Sequence, residues 1–416
     1  MKYTAPDYYR EFQCIASDCP ATCCAGWQIV IDEKSLKKYK AYGGAFGRRL
    51  KASVNWRSGT FRQQAGRCAF LNQKNLCDIY TEAGPQMLCR TCSRYPRHVE
   101  GFDNEREFSL SLSCPAVARM LLARTKQVSF LEKQDEREEE MDDSFDCFLY
   151  SALSDCRKLM FCILQKRELD VRIRMGRVLA LAHDVQNRID ARRIFEIEGL
   201  LERYGGEKAG TRLDGKLRRY CIRPDTGADD RTGGTAQGTQ MQRMRKLLLL
   251  LDELETLDEM WPVSLRRYRE ALYGAGELEY EALRVRCRTQ WNETASGYRR
   301  SESMGAAEPV SGWPDLESEQ LMVYFLYVYL CGAVYDGDLL AKVKMAVAGT
   351  LILRELEYAR QFFCDAPLTL EDRAQIVWSF SRELEHSDLN LNKMEELMDE
   401  SPAAEFENLL YCIMNS

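Results

Sequence analysis

The stretch that decides how the chain begins to fold is Cys14-Ile-Ala-Ser-Asp-Cys19-Pro-Ala-Thr-Cys23-Cys24-Ala-Gly-Trp27, which holds four cysteines in eleven residues. A second group follows at Cys68, Cys77, Cys89 and Cys92, with Cys114 after it. Nine of the seventeen cysteines therefore lie in the first 114 residues. Thiols at this density form either disulfide frameworks or metal sites.

The rest of the chain favours metal over disulfides. Residues 1–12 have no apolar segment with a small-residue cleavage site, so we expect a cytoplasmic protein without a secretory signal. The number of cysteines is odd, and 416 residues suffice to bury a core without covalent cross-links. In a reducing compartment, clustered cysteines hold zinc or iron–sulfur more often than they form disulfides.

Charge and hydropathy exclude two classes of partner. The formal net charge is -6 and there is no polybasic tract, so we expect no nucleic-acid partner. The most apolar run, residues 321–334, is fourteen residues long, which is too short to span a bilayer as a helix. We predict a buried core helix there and no membrane insertion.

The pattern of residues predicts a mainly α protein with a small cysteine-rich, irregular or β, metal-binding N-terminal domain and a larger α-helical domain. We place the first domain at residues 1–127 and the second at 144–416, with the charged run 132–143 as a solvated linker. Alternating residues predict short strands at 27–32 and 108–114, with a turn at Asp103-Asn104 before the second. Pro115 is expected to open a helix.

Apolar residues at 3-and-4 spacing predict the helices of the second domain. They cover residues 145–163, 171–186, 189–204, 239–260, 264–273, 277–290, 319–334, 338–362, 369–386 and 391–400. On the first of them Phe148 is assigned to the apolar face, and Cys147, Cys156 and Cys162 are interpreted as small buried hydrophobes. Residues 223–238, rich in Gly, Asp and Thr, are predicted to form a mobile loop.

Four thiolates can hold zinc or an iron–sulfur cluster. Cys14, Cys19 and Cys23 are close enough in sequence to surround one centre. The side chains of adjacent Cys23 and Cys24 tend to diverge, so one of them is expected to face a second centre or the core. Cys89-Arg-Thr-Cys92 has a chelating spacing. Spacing leaves open whether there are one or two sites, and whether the metal is zinc or iron.

Together these cysteines and their neighbours resemble the CxxxCxxCC metal-chelating module. Further motifs are similar to those of the flagellin lysine-N-methylase family. They are Cys23-Cys24-x-Gly-Trp-x-Ile-x-Ile-Asp32, Ser109-Leu-Ser-Leu-Ser-Cys-Pro-Ala-Val-Ala-Arg119 and Ser381-Arg-Glu-Leu-Glu-His-Ser387. The resemblance covers the first 120 residues well and the C-terminal helices loosely.

The resemblance implies methyl transfer from S-adenosylmethionine to surface lysines of flagellin, and a [4Fe–4S] cluster with zinc as the alternative metal. It makes nine residues candidates for the cluster domain: Cys14, Cys19, Cys23, Cys24, Cys68, Cys77, Cys89, Cys92 and Cys114. One cluster needs four of them. No glycine-rich turn between strand and helix marks a cofactor site. Glu383, Glu385 and His386 are interpreted as a charged helix end, so the catalytic residues stay unassigned.

Two other functions agree with the residues alone. In the first, the chain is a non-catalytic adaptor stabilised by zinc or an iron–sulfur cluster. In the second, it handles metal or redox equivalents through its thiols. Methyl transfer to flagellin separates the enzyme from both.

Overall fold

A computed structural model describes residues 1–137, 144–221, 238–302 and 313–416. Within these ranges the chain is mainly helical, with a cysteine-rich N-terminal part and a larger helical part, as predicted. Nearly all of the loop predicted at 223–238, and the end of the charged run at 138–143, lie outside the described residues. The division into two domains stays a prediction.

Strands occur in the first third of the chain. They are β1 (Lys2–Pro6), β2 (Val54–Asn55), β3 (Thr60–Phe61), β4 (Gln63–Gln64), β5 (Arg67–Cys68), β6 (Arg97–Phe102), β7 (Glu105–Leu110) and β8 (Phe130–Gln134). Four of them form one sheet in the order β6-β7-β1-β8, in which only β1 and β7 run parallel. The turn at Asp103-Asn104 joins β6 to β7 as predicted, and Asp103 has a φ of 47° there. The two remaining pairs, β2 with β3 and β4 with β5, are two-residue ladders.

Two predictions about this part were wrong. Residues 27–32 form no strand, because their backbone makes only single bridges, such as Val30 to Thr60, while Ile29 and Ile31 fill a small core. The start of the charged run is not a linker, because Glu132 lies in β8 opposite Thr4 of β1. Backbone pairing along the sheet edge accepts charged side chains that point to solvent.

The N-terminal part also contains five short helices, more than its irregular sequence predicts. They are α1 (Glu33–Ala41), α2 (Gly44–Ser53), α3 (Asp78–Ala83), α4 (Arg90–Arg94) and α5 (Pro115–Leu122). Pro115 opens α5 as expected, since the first helical position needs no N–H donor.

The helical part continues with thirteen further described helices. They are α6 (Cys147–Leu164), α7 (Val171–Asp190), α8 (Ile197–Gly205), α9 (Glu207–Leu217), α10 (Gln240–Leu249), α11 (Trp261–Tyr273), α12 (Glu277–Glu302), α13 (Trp313–Tyr329), α14 (Ala333–Asp336), α15 (Leu339–Phe362), α16 (Leu370–Glu385), α17 (Asp388–Glu400) and α18 (Phe406–Met414). Helix α15 lies at the centre, buried along nearly its whole length, with α7, α11, α13, α16, α17 and α18 packed around it. Gly349 of α15 allows close contact with the ring of Phe325 on α13. The run at 321–334 is a buried core segment as predicted, and no helix among the described residues is long and apolar enough to cross a membrane.

Helix α6 corrects one prediction. Cys156 is fully buried, as expected, but Cys147 and Cys162 are exposed, and Phe148 is 80% exposed. The rest of the predicted face is buried at Leu149, Leu153, Cys156, Met160 and Ile163. A wide apolar face predicted from spacing alone includes residues at its edges that the neighbouring helices do not cover.

The described residues form two hydrophobic cores. The small one lies around Ile29, Phe61, Phe70 and Cys89, and the large one joins the helices to the four-stranded sheet. A buried ion pair between Glu107 of β7 and Arg157 of α6 also links the sheet to the helices. The sheet therefore belongs with the helical part, and the small core supports the cysteines.

Candidate functional site

Five separate segments of the fold carry the nine candidate cysteines. All seventeen cysteines of the chain lie in its described part, and all are free thiols. Cys77, Cys89 and Cys114 each occupy the position just before a helix, α3, α4 and α5 respectively. Burial raises the pKa of Cys77 and Cys114, while N–H groups in the first turns of their own helices lower it. The placement of these three cysteines directly before helix starts was not predicted from the sequence.

The nine thiols divide into two groups whose members act electrostatically on one another. The outer thiols are Cys14, Cys19, Cys23 and Cys114. The inner thiols are Cys24, Cys68, Cys77, Cys89 and Cys92. The outer group includes the exposed Cys14, whereas each inner thiol is buried or half-buried.

Cys23 and Cys24 contact each other, so their side chains do not diverge as expected, although each of them also acts on a different set of thiols. A hydrogen bond between the two thiols is the largest cause that raises the pKa of Cys23 and lowers that of Cys24. The nearby thiols of Cys14 and Cys114 raise the pKa of Cys23 further. Burial is the largest cause that raises the pKa of Cys68, and Cys24 adds to it. One peptide bond thus joins the outer group to the inner group.

Asp32 holds the Cys89-x-x-Cys92 turn in place. Its carboxylate accepts the N–H of Arg90 at 2.7 Å and the N–H of Ser35 at 3.0 Å, so it caps both α4 and α1. The hydroxyl of Thr91 donates to the carbonyl of Val30 at 2.9 Å. The thiols of Cys89 and Cys92 share a hydrogen bond that lowers the pKa of Cys89 and raises that of Cys92. Asp32 was part of the recognised motif, but its capping role was not predicted.

The donor set fits a thiophilic metal. Thiolates are the ligands that zinc and iron–sulfur clusters prefer, and the inner thiols supply five from four segments. In the part of the chain that the structure describes, no three Cys, His, Asp or Glu side chains converge at ligand spacing. The contacts are pairwise, at Cys23 with Cys24 and at Cys89 with Cys92. His98 is exposed, and its Nε2 lies 3.0 Å from the carboxylate of Glu100.

Helix α16 and its end contact the cysteine-bearing segments directly. The guanidinium of Arg382 donates to the carbonyl of Ser113 at 3.0 Å and to that of Ala21 at 2.6 Å. The carboxylate of Glu385 accepts hydrogen bonds from Ser111 and from Tyr324. Three motifs recognised separately in the sequence, around residues 23, 113 and 385, therefore meet in space.

His386 lies at the centre of this contact. Its ring stacks on Trp27 with 4.9 Å between centroids, and the edge of Tyr95 approaches it at 6.0 Å. The indole N–H of Trp27 donates to the carbonyl of Cys23 at 2.8 Å. Burial, with the nearby charge of Arg382, lowers the pKa of His386 to about 3, and its buried Nε2 has no hydrogen-bond partner. The imidazole is therefore neutral at pH 7.

Glu383, Glu385 and His386 do lie at the end of α16, but they are not a simple charged helix end exposed to solvent. Glu383 is only 3% exposed, and its carboxylate accepts the N–H groups of Leu257 at 2.9 Å and Asp258 at 2.8 Å. Burial raises the pKa of Glu383 and that of Glu385 to about 7. The segment is polar in sequence, but the turn before α11 contacts Glu383, and the cysteine-bearing part contacts Glu385 and His386. A contact between residues so distant in sequence leaves no local signal.

A cavity of about 250 Å³ lies beside this contact. Its wall is built by the turn before α11, by α11 itself, by α15, by α16 and by Gly26. The side chains that line the cavity include those of Asp258, Trp261, Tyr268, Trp378, Glu383 and His386. Gly26 has a φ of +86°, which places the backbone in the left-handed region just before Trp27. Sequence reasoning missed the cavity, because its walls come from four distant segments.

The family profile of the FliB lysine N-methylase C-terminal domain matches residues 157–414, which is more than half of the chain. The chain belongs to the FliB lysine N-methylase family. A second profile, a putative zinc- or iron-chelating domain with the CxxCxxCC pattern, matches residues 13–115. The resemblance predicted from the motifs is confirmed, and so is metal binding as the property of the N-terminal module.

Three curated relatives are similar to part of this family member. The flagellar biosynthetic protein FliU of Salmonella muenchen is 31% identical over 140 residues, which are 32% of this chain and 83% of FliU. The lysine-N-methylases of Salmonella typhimurium and Salmonella choleraesuis are each 31% identical over 139 residues. That match spans 31% of this chain and about a third of each relative, 35%. No solved structure matches the chain.

The predicted enzyme class, a protein-lysine N-methyltransferase, is thereby confirmed at the level of the family. These similarities do not identify the type of metal, the methyl donor or the protein substrate. The structure brings the recognised motifs into contact and pairs Cys89 with Cys92, and it leaves the outer Cys14 exposed at the surface.

Proposed function

We propose that the chain is a protein-lysine N-methyltransferase that transfers methyl groups from S-adenosylmethionine to surface lysines of flagellin. The family match over residues 157–414 carries the proposal. The names of the relatives, lysine-N-methylase and flagellar biosynthetic protein, support lysine as the acceptor and a flagellar protein as the substrate. Seventeen free thiols agree with a cytoplasmic location.

The transfer makes defined demands on the protein. The lone pair of the lysine Nζ attacks the methyl carbon, and the carbon–sulfur bond breaks with its electron pair kept by sulfur. The nitrogen then gives up a proton. Because only the neutral amine has this lone pair, a partly desolvated site that lowers the pKa of the lysine favours the reaction. Alignment of nitrogen, carbon and sulfur supplies much of the rate.

The cysteine-bearing segments are proposed to hold a [4Fe–4S] cluster, with zinc as the alternative. Four of the five inner thiols are its proposed ligands, because they are buried or half-buried and interact with one another. When bound, the metal centre supplies folding free energy to the small core. Arg382 and His386 then contact segments whose positions the bound thiols fix.

One assay tests the proposed reaction. The full chain, purified without oxygen, is incubated with S-adenosylmethionine and flagellin. Lysine peptides are then examined by mass spectrometry for steps of about 14 Da, because replacing a hydrogen on nitrogen by a methyl group adds the mass of one methylene group. Iron and sulfide analysis of the same sample separates iron–sulfur from zinc. No mass shift with the metal bound would contradict the methylase and leave a metal-stabilised adaptor.

A further inference from the structure

The cavity beside His386 is lined on several sides by aromatic rings. Trp261 and Tyr268 come from α11, and Trp378 comes from α16. Aromatic faces attract organic cations through their negative quadrupole, more strongly where water is partly excluded. The guanidinium of Arg382 already lies over the ring of Trp378 at 5.0 Å, so the site shows this type of contact internally.

The charges in the wall also favour a cation. Three carboxylates line the cavity, those of Asp258, Asp372 and Glu383, against the guanidinium groups of Arg360 and Arg382. Arg360 is paired with Asp372 at 3.2 Å, and Arg382 donates to backbone carbonyls. Asp258 and Glu383 accept backbone N–H groups, and neither forms a salt bridge among the described residues. Because burial raises the pKa of Glu383 to about 7, its carboxyl is only partly ionised at neutral pH, and the negative charge at the cavity comes mainly from Asp258.

Size and access limit the ligand. A volume of about 250 Å³ is below that of typical pockets for drug-sized molecules, and it suits one amino-acid side chain or one part of a larger molecule. Met260 lines the cavity and is 62% exposed, so the cavity opens to solvent there. A lysine side chain, or the methionine part of a sulfonium donor, satisfies both limits.

We propose that this cavity binds the cationic group of the methyl-transfer reaction, an alkylammonium or a sulfonium, between Trp261, Trp378 and the carboxylate of Asp258. The assignment rests on the proposed function for the identity of the cation. Trp261 and Asp258 then act as binding residues for the ligand. Glu383 has a positioning role, since both of its oxygens accept N–H groups of the turn that carries Asp258.

The test measures binding without turnover. Calorimetry on the anaerobically purified full chain uses four ligands. S-Adenosylmethionine is compared with neutral S-adenosylhomocysteine, and a peptide with one lysine is compared with the same peptide carrying norleucine. We expect Trp261→Ala to weaken binding of one cationic ligand at least tenfold and Trp261→Phe to weaken it less than threefold. Trp56→Ala, which changes a partly exposed indole on the cysteine-bearing part, is the matched control.

Each result decides the proposal. Selective loss of S-adenosylmethionine binding assigns a sulfonium site, and selective loss of lysine-peptide binding assigns an ammonium site. Unchanged affinities in a folded Trp261→Ala, or equal binding of the charged and neutral ligands, overturn the proposal. Absence of binding by the wild type overturns it as well. Methylation of flagellin, measured separately, then shows whether the proposed function stands without this site.

Discussion

The ring of His386 stacks on the indole of Trp27, with 4.9 Å between their centroids and 30° between their planes. This contact joins the end of α16 to the segment that follows the adjacent cysteines. It also lies in the wall of the cavity, because both His386 and the neighbouring Gly26 line it. The metal-binding part and the helical part therefore meet where the cation is proposed to bind.

Replacing His386 by phenylalanine should make the protein more tolerant of acid. Burial and Arg382 lower the pKa of His386 to about 3 in the fold, whereas the unfolded chain takes up this proton below its ordinary value of 6.5. The unfolded state therefore gains protons first, and the wild type loses about 1.4 kcal/mol of unfolding free energy per pH unit between pH 6.5 and 3 from this residue. Urea unfolding of His386→Phe should show a shallower decline.

The comparison at pH 7 to 8, where the imidazole is neutral in both states, gives the effect of packing alone. Equal pH slopes in the two proteins would show that His386 is not held neutral by its surroundings.

Glu383→Gln should have the opposite pH dependence. Burial raises the pKa of Glu383 to about 7, and Asp258 and Glu255 raise it further, against the N–H groups of Leu257 and Asp258. The folded state therefore binds this proton more tightly than the unfolded state, and the wild type loses stability as pH rises from 4.5 to 7.

Arg382 and His386 line the same cavity as Glu383, and both are unchanged in the Glu383→Gln variant. The unfolding free energy of Glu383→Gln relative to the wild type should therefore increase across this pH range. A constant difference would show that the carboxyl titrates as in the unfolded chain.

Serine in place of an inner thiol should lower the metal content. We expect Cys24→Ser and Cys92→Ser to retain less than half of the iron or zinc per chain, because hydroxyl is a poor ligand for these metals. Cys147→Ser changes an exposed thiol on α6 and should retain all of it. Metal analysis and absorbance spectra measure the outcome. Full metal content in both Cys24→Ser and Cys92→Ser would exclude the inner thiols as the principal site, because any four of the five include Cys24 or Cys92.

Gly26→Ala should destabilise the fold by about 1–2 kcal/mol, because φ is +86° and a side chain is strained in the left-handed region. The cost is one of backbone conformation, since nothing lies within 4 Å of the added methyl group. Gly215→Ala is the matched control on the exposed side of α9, again with open space. It should stabilise by about 0.5–1 kcal/mol. Thermal and urea unfolding compare the two, and equal effects would contradict the argument.

Local patterns predicted much of the fold. Apolar spacing located α7, α11, α15, α16 and α17, and the proline at the start of α5 marked its first residue. The helices α1 and α2 were not predicted, because they are only 9 and 10 residues long and the glycines at 43, 44 and 47 interrupt the apolar spacing. Helix α18 was also missed.

The candidate site was predictable only in part. Spacing identified the cysteines as candidate ligands, but it left open how they divide into groups. The burial of Glu385 could not be inferred, because it depends on Ser111, 274 residues away in the chain. The cavity has the same cause, since it exists only after α11 and α16 have packed together and Gly26 has closed one side.

The contact between Arg382 and Ala21 spans 361 residues, so its two halves are made at very different times during synthesis. At about 5–20 residues per second, a ribosome needs roughly 20–70 s to pass from one to the other. Throughout that interval the segment with four cysteines has emerged while α16 does not yet exist. The thiols of the nascent chain are therefore accessible to metal and to oxidants before α16 can contact their segment. Metal loading and oxidative damage compete during this interval of synthesis.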